Sequence, residues 1–196
     1  MPYVAPIVEG HGEVEALPAL LHRIAARTAS PGMLRVNPPI RVKAGSFLND
    51  AEYFRKQVLL AAAKAAQAGG AVLILLDCED GCPGTLGPEL LLRARSVRAD
   101  IPVIVALAHR EFETWFLTAA QSLAGVHGLP ADLEPPLVPE TIRDAKGWLG
   151  ARMEFGYDPV IHQLDFSRKF DLDAARANDS FDHLCRHIET LLGSSP

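Results

Sequence analysis

No apolar run in the 196-residue chain approaches twenty residues, which excludes a helix spanning the membrane. The N-terminus lacks the basic stretch, apolar core and cleavage site of a secretory leader, so the expected location is the cytoplasm. Cysteine is scarce. Cys78, Cys82 and Cys185 are too few, and odd in number, for a disulfide framework, and they agree with a reducing compartment. The C-x3-C spacing of Cys78 and Cys82 is not that of a zinc knuckle, and no second pair exists. There is no G-x-x-x-x-G-K-[ST] phosphate loop and no G-x-S-x-G elbow. The "EGHGE" stretch has Glu15 where a dinucleotide fingerprint needs its third glycine. A strongly basic surface is missing too. Residues 1–100 carry 11 Lys+Arg against 10 Asp+Glu, and residues 101–196 carry 8 against 14, giving the net charge of −5. Binding to nucleic acid by charge alone is therefore excluded, although bound metal ions would change that balance locally.

What is present is ordinary globular composition, with 48% hydrophobic and 22% charged residues. Four apolar runs stand out: "YVAPIV" (3–8), "IRVKA" (40–44), "AVLILLD" (71–77) and "IPVIVALA" (101–108). Three are near-continuous, as strands buried on both faces of a parallel sheet must be, and the second alternates as an edge strand does. Helical spacing is expected between them, over 13–28, 49–70, 86–99 and 111–123, with Asn49 or Asp50 as an N-cap. Pro18 falls early in the first of these helices, where a kink is expected. The alternation predicts an α/β, doubly wound, mainly parallel sheet over residues 1–125. Residues 126–139 read as a proline-rich linker or loop. Residues 140–196 read as a helical C-terminal part packed on that domain, with Ser180 capping its last helix.

Ligands of such sheets bind at the carboxyl ends of the strands. There the chain places Glu9 and Glu13 after the first strand, Asp77, Glu79 and Asp80 after the third, and His109, Glu111 and Glu113 after the fourth. Seven carboxylates at one edge repel one another unless cations compensate. Hard oxygen donors with few bases nearby suit Mg2+ or Mn2+. A competing role exists for Glu13, Glu15, Glu111 and Glu113, because acids also favour helix N-termini. His183 and His187, four apart on a helix, could bind zinc, but no third ligand is in view.

The pairing of "IVEGHGE" with a strand ending in "LLDCED" resembles the toprim domain of topoisomerases, primases and OLD-type nucleases. Glu9 and Glu13 fall on its E-G-x-x-[DE] turn, and Asp77 and Glu79 on its D-x-D, with Glu replacing the second Asp and Asp80 as a substitute. The whole chain is similar to a family of uncharacterised bacterial toprim-like proteins, through "EGHGE", "DCEDGCP", "EFETWF" and "YDPVIHQ". The resemblance implies a metal-dependent phosphodiesterase acting on DNA or RNA, with Glu9, Asp77 and Glu79 or Asp80 holding one or two ions. Glu13, Glu111 and Glu113 would complete the shell, and Lys146 or the pair Arg168/Lys169 would contact phosphate. Tyr3, Tyr53 and Tyr157 are poorly placed in sequence to act as a topoisomerase nucleophile, which favours attack by water. OLD-type nucleases carry an ATPase that this chain lacks, so a separate ATPase is the implied partner. Two other readings stay open. One is a small-molecule phosphatase or phosphotransferase, since "DCEDG" is also similar to the haloacid-dehalogenase motif. The other is a non-catalytic toprim-fold partner.

Overall fold

A computed structural model describes residues 2–28 and 34–193. Five strands make one wholly parallel sheet: β1 (Tyr3–Val8), β2 (Arg35–Val36), β3 (Ile40–Arg41), β4 (Ala71–Asp77) and β5 (Val103–Ala108). Their order is β2-β1-β4-β5. Short β2 and β3 share one edge, β2 pairing with Tyr3 and Val4 and β3 with Ile7 and Val8 of β1. Pro38 and Pro39 separate them. Side chains alternate between the two faces of a strand. Here every central strand is buried on both, as its unbroken apolar run requires. Ala5, Ile7, Val72, Ile74 and Leu76 pack under α2 (Ala44–Asn49), α3 (Ala51–Ala66) and α4 (Pro83–Val97). Val4, Val8, Leu73 and Leu75 pack under α1 (His11–Ala25), α5 (Glu113–Thr118), α7 (Pro159–Lys169) and α9 (Asp179–Gly193). The remaining α-helices among the described residues are α6 (Ala145–Gly150) and α8 (Leu172–Ala175). The fold is the doubly wound α/β sheet expected, with helices on both faces.

The C-terminal helices share the core of the sheet. Phe166, Phe170, Phe181 and Leu184 join the same apolar cluster as Leu17 and Trp115. Arg23 of α1 donates to the carbonyls of Ser167 and Phe170 at 2.7 and 2.8 Å, closing the last turn of α7. Helix α1 meets α7 at Gly12. A Cβ there would stand 2.1 Å from Gln163 Oε1 and 2.5 Å from the Pro159 carbonyl oxygen. Gly12→Ala is therefore expected to force the two helices apart, at a cost of about 2 kcal/mol and a fall in Tm of ~4–8 °C. A thermal melt matching wild type would show that α1 and α7 do not depend on this close approach.

Several elements differ from expectation, and of the helix expected over 111–123 only Glu113–Thr118 is α-helical, followed by a 3-10 turn at Ala120–Leu123. Helix α1 starts two residues early, at His11 with Gly10 as N-cap, and runs on through Pro18. The helix expected over 49–70 is α3, and Asp50 caps it, its Oδ1 accepting from Glu52 N and Tyr53 N; the short α2 before it, which Asp50 ends, corresponds to no expected helix. Over 139–150 only Ala145–Gly150 is α-helical, with a 3-10 turn at Pro139–Thr141. Ser180 is not the cap of α9. Asn178 Oδ1 accepts from Ser180 N and Phe181 N, and Ser180 turns inward to Trp115.

Candidate functional site

Because β1, β4 and β5 run parallel, their carboxyl ends lie on one edge, and the acids that follow them meet there. The exits of β4 and β5 are clasped to each other. Glu79 N donates to the Arg110 carbonyl at 2.9 Å, and Arg110 Nη1 returns a bond to the Glu79 carbonyl at 3.1 Å. Both residues hold left-handed backbone, φ +36° at Glu79 and +69° at Arg110. That conformation costs a side-chain-bearing residue about 1–2 kcal/mol, and it persists where surrounding contacts enforce it.

Lys146, delivered by α6, sits among the acids. Its Nζ lies 2.9 Å from Glu111 Oε1, 2.9 Å from Glu113 Oε2 and 3.7 Å from Asp77 Oδ2. Glu111 fixes the helix as well as the ammonium, since its Oε2 accepts from Ala145 N at 2.8 Å and Lys146 N at 3.2 Å. Asp77 Oδ1 accepts from Phe112 N at 2.8 Å. Glu113 is fully buried, and its Oε1 accepts from Tyr157 Oη at 3.0 Å and Gln163 Nε2 at 3.3 Å. Glu13 folds back on the first turn of α1, where its Oε2 accepts from Glu9 N at 3.2 Å.

One ammonium does not neutralise these acids. Burial raises the Glu113 carboxyl above its usual range, against the pull of Lys146. Burial, then the charge of Glu13, puts Asp77 well above its own. Burial pushes Glu13 up to about 7, with the Gly10 N–H opposing and the charges of Glu113 and Glu9 adding. Burial and the charge of Glu79 raise Glu9, while Lys146 and the Asp77 backbone lower it. Burial disfavours the Lys146 ammonium, but Glu113 and Asp77 outweigh it and hold the proton. Burial and Glu113 together keep the Tyr157 phenol protonated.

Of the residues expected at the site, the structure gathers Glu9, Glu13, Asp77, Glu111, Glu113 and Lys146. Glu79 is exposed at the rim. Asp80 turns away to Arg110 at 2.5 Å and Arg143 at 3.2 Å. Arg168 and Lys169 pair with Asp165 on their own helix. The helix-end role holds for Glu13, and for Glu111 it applies to α6, a helix far along the chain. His183 and His187 meet ring to ring, Nε2 to Nε2 at 3.0 Å, on the wall of an apolar groove of about 910 Å3 between α4 and α9. Among the described residues no three His, Cys, Asp or Glu side chains stand together in a metal-holding arrangement. Three participants lay outside the sequence reasoning: Arg110, and Tyr157 and Gln163 as partners of Glu113. The last two are the first and last residues of "YDPVIHQ", a segment singled out only as a family likeness.

Residues 8–189 match the family described as a domain of unknown function, DUF4276. The chain belongs to that family. The matched span runs from the end of β1 into α9, so the DUF4276 domain contains every residue of the acidic edge. No curated protein and no solved structure matches the chain.

Proposed function

We propose that the acidic edge is a Mg2+- or Mn2+-dependent phosphodiesterase site acting on DNA or RNA. The observation that carries the proposal is the excess of carboxylate at the ends of three parallel strands. Glu9, Glu13, Asp77 and Glu113 all have raised pKa values, with Lys146 the cation among them. Such a cluster takes up protons or a hard cation, and oxygen donors alone select Mg2+ or Mn2+. The fit is to charge and donor type. Glu9 and Asp77 would hold the ion, with Glu79 at the rim and Glu13 behind. Once bound, a divalent ion polarises a phosphate oxygen and acidifies a water.

The chain's own residues supply the rest. Lys146 is protonated and 36% exposed, so its ammonium can meet a phosphate oxygen while Glu111 and Glu113 hold it in place. Tyr157 and Gln163 fix Glu113 in a dry pocket, which keeps that ammonium from swinging away. The Tyr157 hydroxyl is committed to Glu113 and stays protonated, so water rather than tyrosine is the nucleophile. An ATPase on a separate chain is the partner that suits this reading.

Melting in millimolar Mg2+ or Mn2+ tests the site. An ion at a hundredfold excess over its Kd adds about 2.7 kcal/mol, hence ~5–10 °C in Tm, and Asp77→Asn removes most of that gain. Asp77→Asn is also expected to lower cleavage of single- or double-stranded DNA or RNA by about a hundredfold or more, with the fold retained. Turnover of para-nitrophenyl phosphate with none of its bis ester would replace the reading with a phosphatase. A melt indifferent to both ions, with no cleavage even beside a co-encoded ATPase, would leave a non-catalytic domain.

A further inference from the structure

A second charged feature lies on the same edge of the sheet. Val8 of β1 pairs with Arg41 of β3, and Val42 N donates to the Val8 carbonyl at 2.8 Å. Adjacent strands lie roughly 4.8 Å apart, so the segment after β3 runs one strand-width from Glu9. There a pocket of about 360 Å3 is lined by Arg41, Val42, Lys43, Ser46, Asp50 and Tyr53. Arg41 and Lys43 are two apart in extended chain, with Lys43 at φ −94° and ψ 116°, so their side chains project to one side. Val42 between them is buried at 2% exposure and anchors the segment. Phe47, fully buried on α2, anchors the opposite wall.

The pocket's chemistry is unspent. Arg41 and Lys43 are exposed, and among the described residues neither side chain has a hydrogen bond or ion pair. The hydroxyls of Ser46 and Tyr53 are likewise unpartnered there. Asp50 is the one acid in the lining, and its Oδ1 is engaged by Glu52 N and Tyr53 N at the start of α3. The positive end of that helix offsets its charge. In a chain of net charge −5, two unpaired cations and two free hydroxyls around one pocket make an anion-binding surface.

We propose that this pocket binds a phosphate of a nucleic-acid strand, next to the phosphate held at the acidic edge. The inference rests on the phosphodiesterase reading for what happens at the acids, but it makes its own claim about the substrate. A site that grips two phosphates in series selects a polynucleotide over a simple phosphate monoester. Arg41 takes a phosphate through its planar fork, Lys43 as a point charge, and Ser46 and Tyr53 donate to the remaining oxygens.

The test is binding of a short fluorescent single-stranded oligonucleotide, read by anisotropy between about 50 and 200 mM salt. It compares wild type, the Arg41→Ala/Lys43→Ala variant and an Arg95→Ala/Arg98→Ala control of equal charge change at the C-terminal end of α4. Each lost contact to a single strand removes about 0.7 from the salt slope. The pocket holds one phosphate, so its variant should bind about tenfold more weakly at low salt, with a slope lower by about 0.7, while the control stays near wild type. Its Tm gain in Mn2+ should be unchanged, because the acids are untouched. Equal losses in both variants would mean diffuse surface charge and overturn the pocket, as would a wild type that binds no oligonucleotide at low salt. A loss confined to the pocket variant, in a protein whose melt ignores Mn2+, would uphold the pocket and sink the metal site.

Discussion

Lys146→Met is expected to destabilise the protein by about 3 kcal/mol at pH 8 and by much less near pH 5. Removing one partner of a buried ion pair typically costs about 3–5 kcal/mol. Lys146 is 36% exposed, which places this case at the low end. The cause is Glu113, fully buried, left with two neutral hydrogen-bond donors and no counter-charge. Its pKa, already raised with lysine present, rises further. A carboxyl with a folded pKa above its unfolded value loses stability as pH climbs through the folded pKa, and regains it below. At pH 8 the Tm should fall by ~6–12 °C. Adding Glu113→Gln should restore most of the loss, since a neutral amide oxygen still accepts from Tyr157. A deficit equal at pH 5 and pH 8, or no rescue by the second change, would show that Lys146 acts through packing instead of charge.

The second large effect belongs to Glu13, and it appears in the wild type. Its carboxyl rises from 4.5 to about 7, so between those values the folded state holds a proton that the unfolded state has released. Stability therefore decreases with rising pH across that window, by about 3 kcal/mol in all, at 1.36 kcal/mol per pKa unit. Asp77, Glu9 and Glu113 are displaced in the same direction and add to the slope. Glu13→Gln should flatten the curve and leave the variant more stable than wild type at pH 8. The amide oxygen keeps the bond from Glu9 N. Denaturant melts at pH 5, 6, 7 and 8 decide the matter. Stability that rises with pH from 5 to 8 would mean the acids are compensated in the apo protein. A divalent ion should abolish the slope in wild type and leave Glu13→Gln little changed.

Much of this was legible in the chain because its central strands are buried on both faces. Unbroken apolar runs at 3–8 and 71–77 coincide with β1 and β4 residue for residue, and acids at parallel strand ends must share an edge. The two residues of β2 carry no periodicity, and their pairing depends on β1 offering a free flank. Helix α2 is six residues long and buries only Phe47, so it carries no apolar stripe to read, whereas Asp50 marks the start of α3 by its capping side chain. At the site, Glu9, Asp77 and Lys146 were nameable from strand ends and charge. Tyr157 was not, because its contact with Glu113 exists only once α7 lies along α1, and that depends on the missing side chain at Gly12. Glu111 gives no local sign of capping a helix 34 residues on. Ser180 has the sequence look of a cap, but burial in the core claims its hydroxyl for Trp115 Nε1 at 2.9 Å.

The broken edge of the sheet has a consequence for self-association. An exposed edge strand is a template on which another chain can add by backbone pairing. Between β2 and β3 the edge carries Pro38 and Pro39, which have no N–H to donate. With two residues in each strand, no incoming segment finds a continuous ladder on that flank. The proline pair thus acts as a guard against sheet extension at that flank. Replacing both prolines with β-branched residues would lengthen the edge and remove that guard, so aggregation by strand addition is expected to begin there.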